Sequence, residues 1–169
     1  KSTNFKGLKI IQSKIYRDSR GFFKEDFKQL YFKKKFIFGC TSRSKKNVLR
    51  GLHMQTKFPQ GKYLSVLKGK ILDVVVDCRK NSKTFGKHFK TIISDKNSRS
   101  IYVPTGFLHG FVGLEDENIV LYSCTQYRNK ETELGVIWND KNLDINWGVK
   151  KPILSSKDKG NINFQDLKF

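Results

Sequence analysis

The sequence predicts an all-β protein, folded as an antiparallel sandwich or barrel of jelly-roll type with short peripheral helices. Three observations predict it. Runs rich in Val, Ile, Tyr and Phe recur along the whole chain. Turn signals such as "KGK" and "RKNSKTFG" separate them. Only three prolines (Pro59, Pro104 and Pro152) punctuate the pattern, with no repeat, linker or low-complexity segment. Many short strands at regular spacing in residues 1–169 indicate one sandwich or barrel domain.

In chain order, the strand-like runs are "LKIIQSKIY", "KNVLRGLHMQ", "KYLSVLKGKILDVVVDCR", "HFKTIIS", "RSIYVP", "GFVGL", "NIVLYSCTQY" and "GVIWN". "GFFKEDFKQLYFKKKF" is read as holding one short helix and "SSKDKGNINFQDLKF" another. Side chains alternate along a strand, so each run has two faces. In "NVLRGLHMQ", Leu49, Gly51, His53 and Gln55 share one face, with Arg50, Leu52 and Met54 on the other. Lys62, Leu64 and Val66 share a face, as do Val120, Tyr122, Cys124 and Gln126. A lysine heading an apolar stripe is unexpected unless it snorkels out at the strand end. If His53, Lys62 and Tyr122 all point into one barrel, inward polar groups of this kind mark a ligand site. By residue type alone His53 stays open as a metal ligand, a general base or a packed core residue, and a lone strand histidine is most often the last.

The 169 residues suffice for one substantial core. Hydrophobic residues at 37% and aromatics at 13% argue against disorder despite 29% charged residues. No apolar run is long enough to span a bilayer, and "KSTNFKGLKI" lacks the apolar stretch of a signal peptide, so a soluble cytoplasmic protein is expected. Cys40, Cys78 and Cys124 are odd in number and widely spaced, which predicts reduced, packed thiols. The net charge of +19 fits either a polyanionic partner or a lysine-rich solvated surface. The lysines are scattered and the dense runs "FKKKF" and "RSKKN" are short. Nucleic-acid motifs are missing, so the solvated surface is favoured, with some attraction of anionic substrates.

"DSRGFFKEDF", "VLRGLHMQ", "QGKYLSVLKGKILDVVVDCRKNSKTFGKH", "IYVPTGFLHGF", "LYSCTQY", "GVIWNDKNLDINW" and "LSSKD" occur in one order. Together they resemble the dTDP-4-dehydrorhamnose 3,5-epimerase family, from about residue 18 to residue 158. The resemblance implies a cupin jelly roll, a homodimer, and a reaction that uses neither metal nor organic cofactor. Its substrate class is a nucleotide-diphosphate-linked 4-keto-6-deoxy sugar. His53 matches the base, Asp158 the carboxylate that pairs with it, Lys62 the cation at the 4-keto oxygen and Tyr122 the opposite-face acid. His109, Gln55 and Tyr127 match substrate contacts, and Arg20 and Arg50 match diphosphate-binding arginines. Phe22 and Glu25 belong to the segment that reaches a neighbouring subunit's nucleotide. Metal-binding cupins usually carry His-x-His where this chain has His53-x-Gln55, and glutamine is a poor metal ligand, so no metal is expected.

The chain departs from the family pattern in places. Phe38 and Cys40 stand where a Gln and an Asn are typical, and Arg128 replaces the second Tyr of "TxYY". Thymine or guanine as the base therefore stays open, as does hexose or heptose as the sugar. So does inversion at both carbons or at C3 alone. A non-catalytic sugar-nucleotide-binding cupin is the reading from outside enzymology.

Overall fold

The computed structural model describes residues 3–168. Its strands are β1 (Lys9–Gln12), β2 (Ile15–Asp18), β3 (Gly21–Lys24), β4 (Phe38–Ser44), β5 (Leu49–Gln55) and β6 (Lys62–Lys68). They continue as β7 (Lys70–Asp77), β8 (His88–Ser94), β9 (Arg99–Val103), β10 (Phe107–Gly113), β11 (Asn118–Cys124) and β12 (Glu133–Gly135). One short helix, α1 (Ser156–Lys159), and single 3-10 turns at Gln29–Tyr31, Lys130–Thr132 and Phe164–Asp166 complete the elements. The strands pair antiparallel as two five-stranded sheets, β1-β9-β6-β11-β4 and β12-β5-β10-β7-β8, with β2-β3 as a separate hairpin. This is the all-β, cupin-like jelly roll expected.

Strand β7, "KILDVVVD", shows how the layers arise. Ile71 and Val75 enter a core that also holds Leu64, Val66, Ile101, Phe111 and Val120 of other strands. The alternate residues Val74 and Val76 enter a second core with Leu49, Leu52, Leu108, Val112 and Trp147. Both faces of this sheet are therefore covered, so the interior strand β7 reads as a nearly continuous apolar run. The cover on the outer face is the C-terminal segment. Its Leu143 and Trp147 are buried, and Trp138, Ile145, Leu154 and Phe164 pack beside them.

Several expectations are corrected. β3 falls at the head of the run expected to be helical, of which only the turn Gln29–Tyr31 is helix-like. β4, "FGCTSRS", was not expected at all. It carries little apolar signal of its own and is an edge strand, held by pairing with β11. "GVIWN" contributes only Gly135 to a strand and Val136 to an isolated bridge with Ile162. Cys40 is exposed, whereas Cys78 and Cys124 are packed free thiols as expected.

The most consequential correction concerns β5. His53 pairs with His109 but Arg50 pairs with Phe111, so three steps on β5 oppose two on β10. This bulge breaks the strict alternation. Arg50 thereby joins His53 and Gln55 on the inner side, while Leu49 and Leu52 both enter the outer core. Gly51 makes the bulge feasible. Its φ is +130°, and a Cβ there would lie 2.5 Å from the Cα of Gly110.

Gly51→Ala is expected to destabilise the protein by about 2–5 kcal/mol, combining backbone strain with an overpacked strand contact. Urea unfolding of the two proteins checks this, and an unchanged midpoint would refute the close approach.

Candidate active site

Between the two sheets lies a cavity of about 570 Å³. One wall is β5 and β10, which supply Arg50, His53, Gln55 and His109. The facing wall is β4, β6 and β11, which supply Cys40, Ser42, Lys62, Tyr122 and Cys124. Arg128, Glu133, Lys157 and Asp158 close one end. Register places Tyr122 opposite Leu64 and Cys124 opposite Lys62, so the phenol and the ammonium rise from adjacent strands.

His53 is 20% exposed, and its Nε2 lies 2.5 Å from Asp158 Oδ1. An ionised carboxylate only accepts hydrogen bonds, so Nε2–H donates and Nδ1 carries the lone pair of the neutral ring. Asp158 is delivered by α1. Leu49 N donates to Ile153 O and Ile153 N to Asn47 O, which stitches the segment to the start of β5. The Ser155 hydroxyl then caps α1 by accepting from Asp158 N at 3.1 Å. Burial alone would push the Asp158 carboxyl up, but the hydrogen bond and charge of His53 hold it below its ordinary value.

On the facing wall, burial pushes the Tyr122 phenol well above its ordinary value, so it stays protonated. Its hydroxyl meets Ser42 Oγ at 3.2 Å. Burial lowers the Lys62 ammonium, with Cys124 and Glu133 among the groups that oppose this. A second imidazole–carboxylate pair sits deeper, His109 Nε2 donating to Asp73 Oδ2 at 2.8 Å, both buried. Asp73 is thus the partner of His109.

The other expected site residues are placed as follows. Arg50 reaches the cavity and donates to Ser44 Oγ and Arg43 O. The Gln55 amide is committed to backbone, donating to Phe58 O and Tyr127 O and accepting from Asn129 N. It braces the loops at the cavity end while lining the cavity. Tyr127 is 62% exposed and outside the cavity lining, with its ring against Phe38 at the rim. Arg20, Phe22 and Glu25 lie away from this chain's own cavity. Arg20 is 88% exposed and paired with Asp18, Phe22 is exposed under Arg17, and Glu25 pairs with Lys28.

Three contributors escaped sequence reasoning. Ser42 lies on the unexpected β4. Glu133 accepts ion pairs from Arg128 and Lys157, each at 2.8 Å. Its only sequence signal is its place in "ETELGV", three residues before a buried valine, and Lys157 has only its adjacency to Asp158. Among the described residues, no group of three or more His, Cys, Asp or Glu side chains is arranged to hold a metal ion. Among those residues no helix is long and apolar enough to cross a membrane.

A jelly roll with an imidazole–carboxylate pair on one wall, and a phenol and an ammonium on the other, fits a class: isomerases acting on carbohydrates. The profile of the dTDP-4-dehydrorhamnose 3,5-epimerases matches residues 2–166. The chain belongs to the dTDP-4-dehydrorhamnose 3,5-epimerase family. The enzyme of that name from Methanothermobacter thermautotrophicus is 41% identical over 165 residues, covering 93% of this chain and 89% of the relative. The crystal structure of the epimerase from Elizabethkingia anophelis superposes with a TM-score of 0.93 at 38% identity, covering 99% of this chain and 97% of that one. The Legionella pneumophila dTDP-6-deoxy-D-glucose-3,5-epimerase, crystallised with dTDP-4-keto-L-rhamnose, gives 0.94 at 40% identity, covering 98% and 92%.

The Glu133 carboxyl would be raised by burial, but Lys157 and Arg128 bring it from 4.5 down to about 2. A depressed carboxyl adds stability above its unfolded value and loses it as pH falls through the folded one. Glu133→Gln is therefore expected to be less stable than the parent at pH 7, by up to about 3 kcal/mol. The two unfolding curves should converge between pH 4.5 and 2. A constant gap across that window would contradict the ion-pair account.

Proposed function

We propose that this protein inverts C3 and C5 of a dTDP-linked 4-keto-6-deoxy sugar. The observation that carries the reading is the placement of His53–Asp158 and of Lys62 with Tyr122 on facing walls of one cavity. Inversion requires a proton to leave one face of a carbon and another to arrive on the opposite face. His53 Nδ1 takes the proton from carbon beside the ketone. The C–H electron pair moves onto the ketone oxygen, giving an enolate that the Lys62 ammonium stabilises. Tyr122 then returns a proton from the opposite wall, leaving a phenolate, and Ser42 orients its hydroxyl. Asp158 selects the tautomer and steadies the imidazolium. Solvent resets His53 and Tyr122 before the second carbon is processed.

Arg50, with its planar donor fork, suits diphosphate oxygens, and His109 held by Asp73 suits a sugar hydroxyl. The Legionella relative's bound dTDP-sugar supports the substrate class for this chain. We also infer a homodimer in which the β2–β3 hairpin crosses to a second copy. The support is that Tyr16, Phe22 and Phe23 are exposed there while Arg20, Phe22 and Glu25 sit outside their own cavity. On this reading residues 1–169 act as one catalytic domain, in the cytoplasm where sugar nucleotides are made.

Incubation with dTDP- and GDP-linked 4-keto sugars in D2O, read by NMR and mass spectrometry, tests the reaction. Deuterium at both C3 and C5 of the dTDP-sugar is expected. Label at C3 alone would mean a monoepimerase, and binding without label a non-catalytic protein. His53→Ala should slow exchange by roughly 10²–10⁴-fold or more. Tyr122→Phe should still exchange a ring proton yet yield much less inverted product. A Tyr122→Phe enzyme inverting both centres at the parental rate would remove Tyr122 from the mechanism.

Sedimentation on dilution tests the assembly. A monomer with full activity at low concentration would refute the hairpin exchange.

A further inference from the structure

Glu133 has no place in the steps above, yet it stands beside the base. It occupies β12, directly across from Gln55 of β5, and its side chain is 11% exposed. Arg128 Nη2 and Lys157 Nζ both bind its Oε2. The other oxygen, Oε1, lies 3.9 Å from His53 Nδ1. Asp158 holds the opposite ring nitrogen. The imidazole thus lies between two carboxylates, one bonded to Nε2 and one facing the nitrogen left to accept a proton.

We propose that Glu133 is a positioning residue for His53: a counter-charge that stabilises the imidazolium formed when Nδ1 takes the substrate proton, with Arg128 and Lys157 setting its strength. The proposal rests on the reading of His53 as the base and deepens it.

The charges around the imidazole explain why one carboxylate is not enough. α1 brings Lys157 beside Asp158, the segment after β11 brings Arg128, β5 itself brings Arg50, and β6 on the facing wall brings Lys62. The Asp73–His109 pair of β7 and β10 spends its acid on its own imidazole. Protonating His53 therefore adds a cation to a cation-rich enclosure. Asp158 already holds the Nε2 hydrogen in the neutral ring. The new N–H forms at Nδ1, and the carboxylate nearest to it is Glu133. Because both cations bind Oε2, Oε1 is left toward the ring. An opposite charge at such a distance favours the charged form, and neighbouring cations weaken that effect.

The two halves of the arrangement predict shifts of opposite sign. Titration of ring-labelled histidines by NMR, in the protein without substrate, resolves His53 from His88 and His109. In Glu133→Gln the His53 midpoint is expected to fall by about one pH unit. In Arg128→Gln, whose side chain is half exposed, it is expected to rise. The acidic limb of kcat/KM for the dTDP-sugar should move with it in each variant. Proton exchange in Glu133→Gln should drop by roughly ten-fold or more, with kcat affected more than KM, and Glu133→Asp should recover part of it.

If Glu133→Gln loses stability while the His53 midpoint and the acidic limb stay in place, Glu133 is only a brace and the proposal falls. It falls equally if Arg128→Gln lowers the midpoint, a result obtainable even if Glu133→Gln does not fold. Midpoints that move as stated, in a parent protein that exchanges no sugar proton, would uphold the coupling and sink the epimerase reading instead.

Discussion

The outer face of the second sheet has to be covered, and the rest of the site depends on what covers it. β5, β7 and β10 present Leu49, Leu52, Val74, Val76, Leu108 and Val112 outward as well as filling the space between the sheets. Left in water, each buried aliphatic of that set would forfeit about 1.5–3 kcal/mol. The C-terminal segment covers them with Leu143 and Trp147, the indole donating to Trp138 O at 2.7 Å. That packing sets where Ile153 bridges to the start of β5, and hence where α1 begins. The Asp158–His53 bond, which joins residues 105 apart in sequence, thus depends on that core burial.

A second constraint is the close approach of Gly51 and Gly110. The bulge it permits turns Arg50 inward without moving His53 out of the cavity. A regular strand would have sent the guanidinium to the outer face, into an apolar core. Bulges recur where a strand must re-aim a side chain, and here the bulge places a guanidinium in the same cavity as His53.

The cavity wall also holds the positions at which the sequence departs from the family pattern. Phe38 and Cys40, on edge strand β4, stand where amides are typical, and both line the cavity. Tyr127 packs its ring against Phe38 at the rim. Arg128, in place of a tyrosine, is bound to Glu133 and so tied to the charge balance around His53. The Phe38 side of the cavity thus presents aromatic surface, while the Glu133 side carries the Arg128 cation.

By itself, the sequence determined the strand-rich class, the alternating faces of β6 and β11 and the inward set of His53, Lys62 and Tyr122. Period-two alternation is a local property, and these strands carry it in their own residues. The motif order also made Asp158 legible as the partner of His53, through resemblance rather than spacing. Only the tertiary structure decided the inward turn of Arg50, because a bulge depends on the backbone of β10. The same holds for β4, whose polar residues become a strand through pairing with β11, and for Gln55, whose amide is consumed by loops far along the chain. Glu133 is the clearest case. Nothing in "ETELGV" marks an acid that will face an imidazole. It does so because β12 pairs with β5 while Lys157 and Arg128 converge on it from separate segments, and contacts of that kind exist only once the chain is folded.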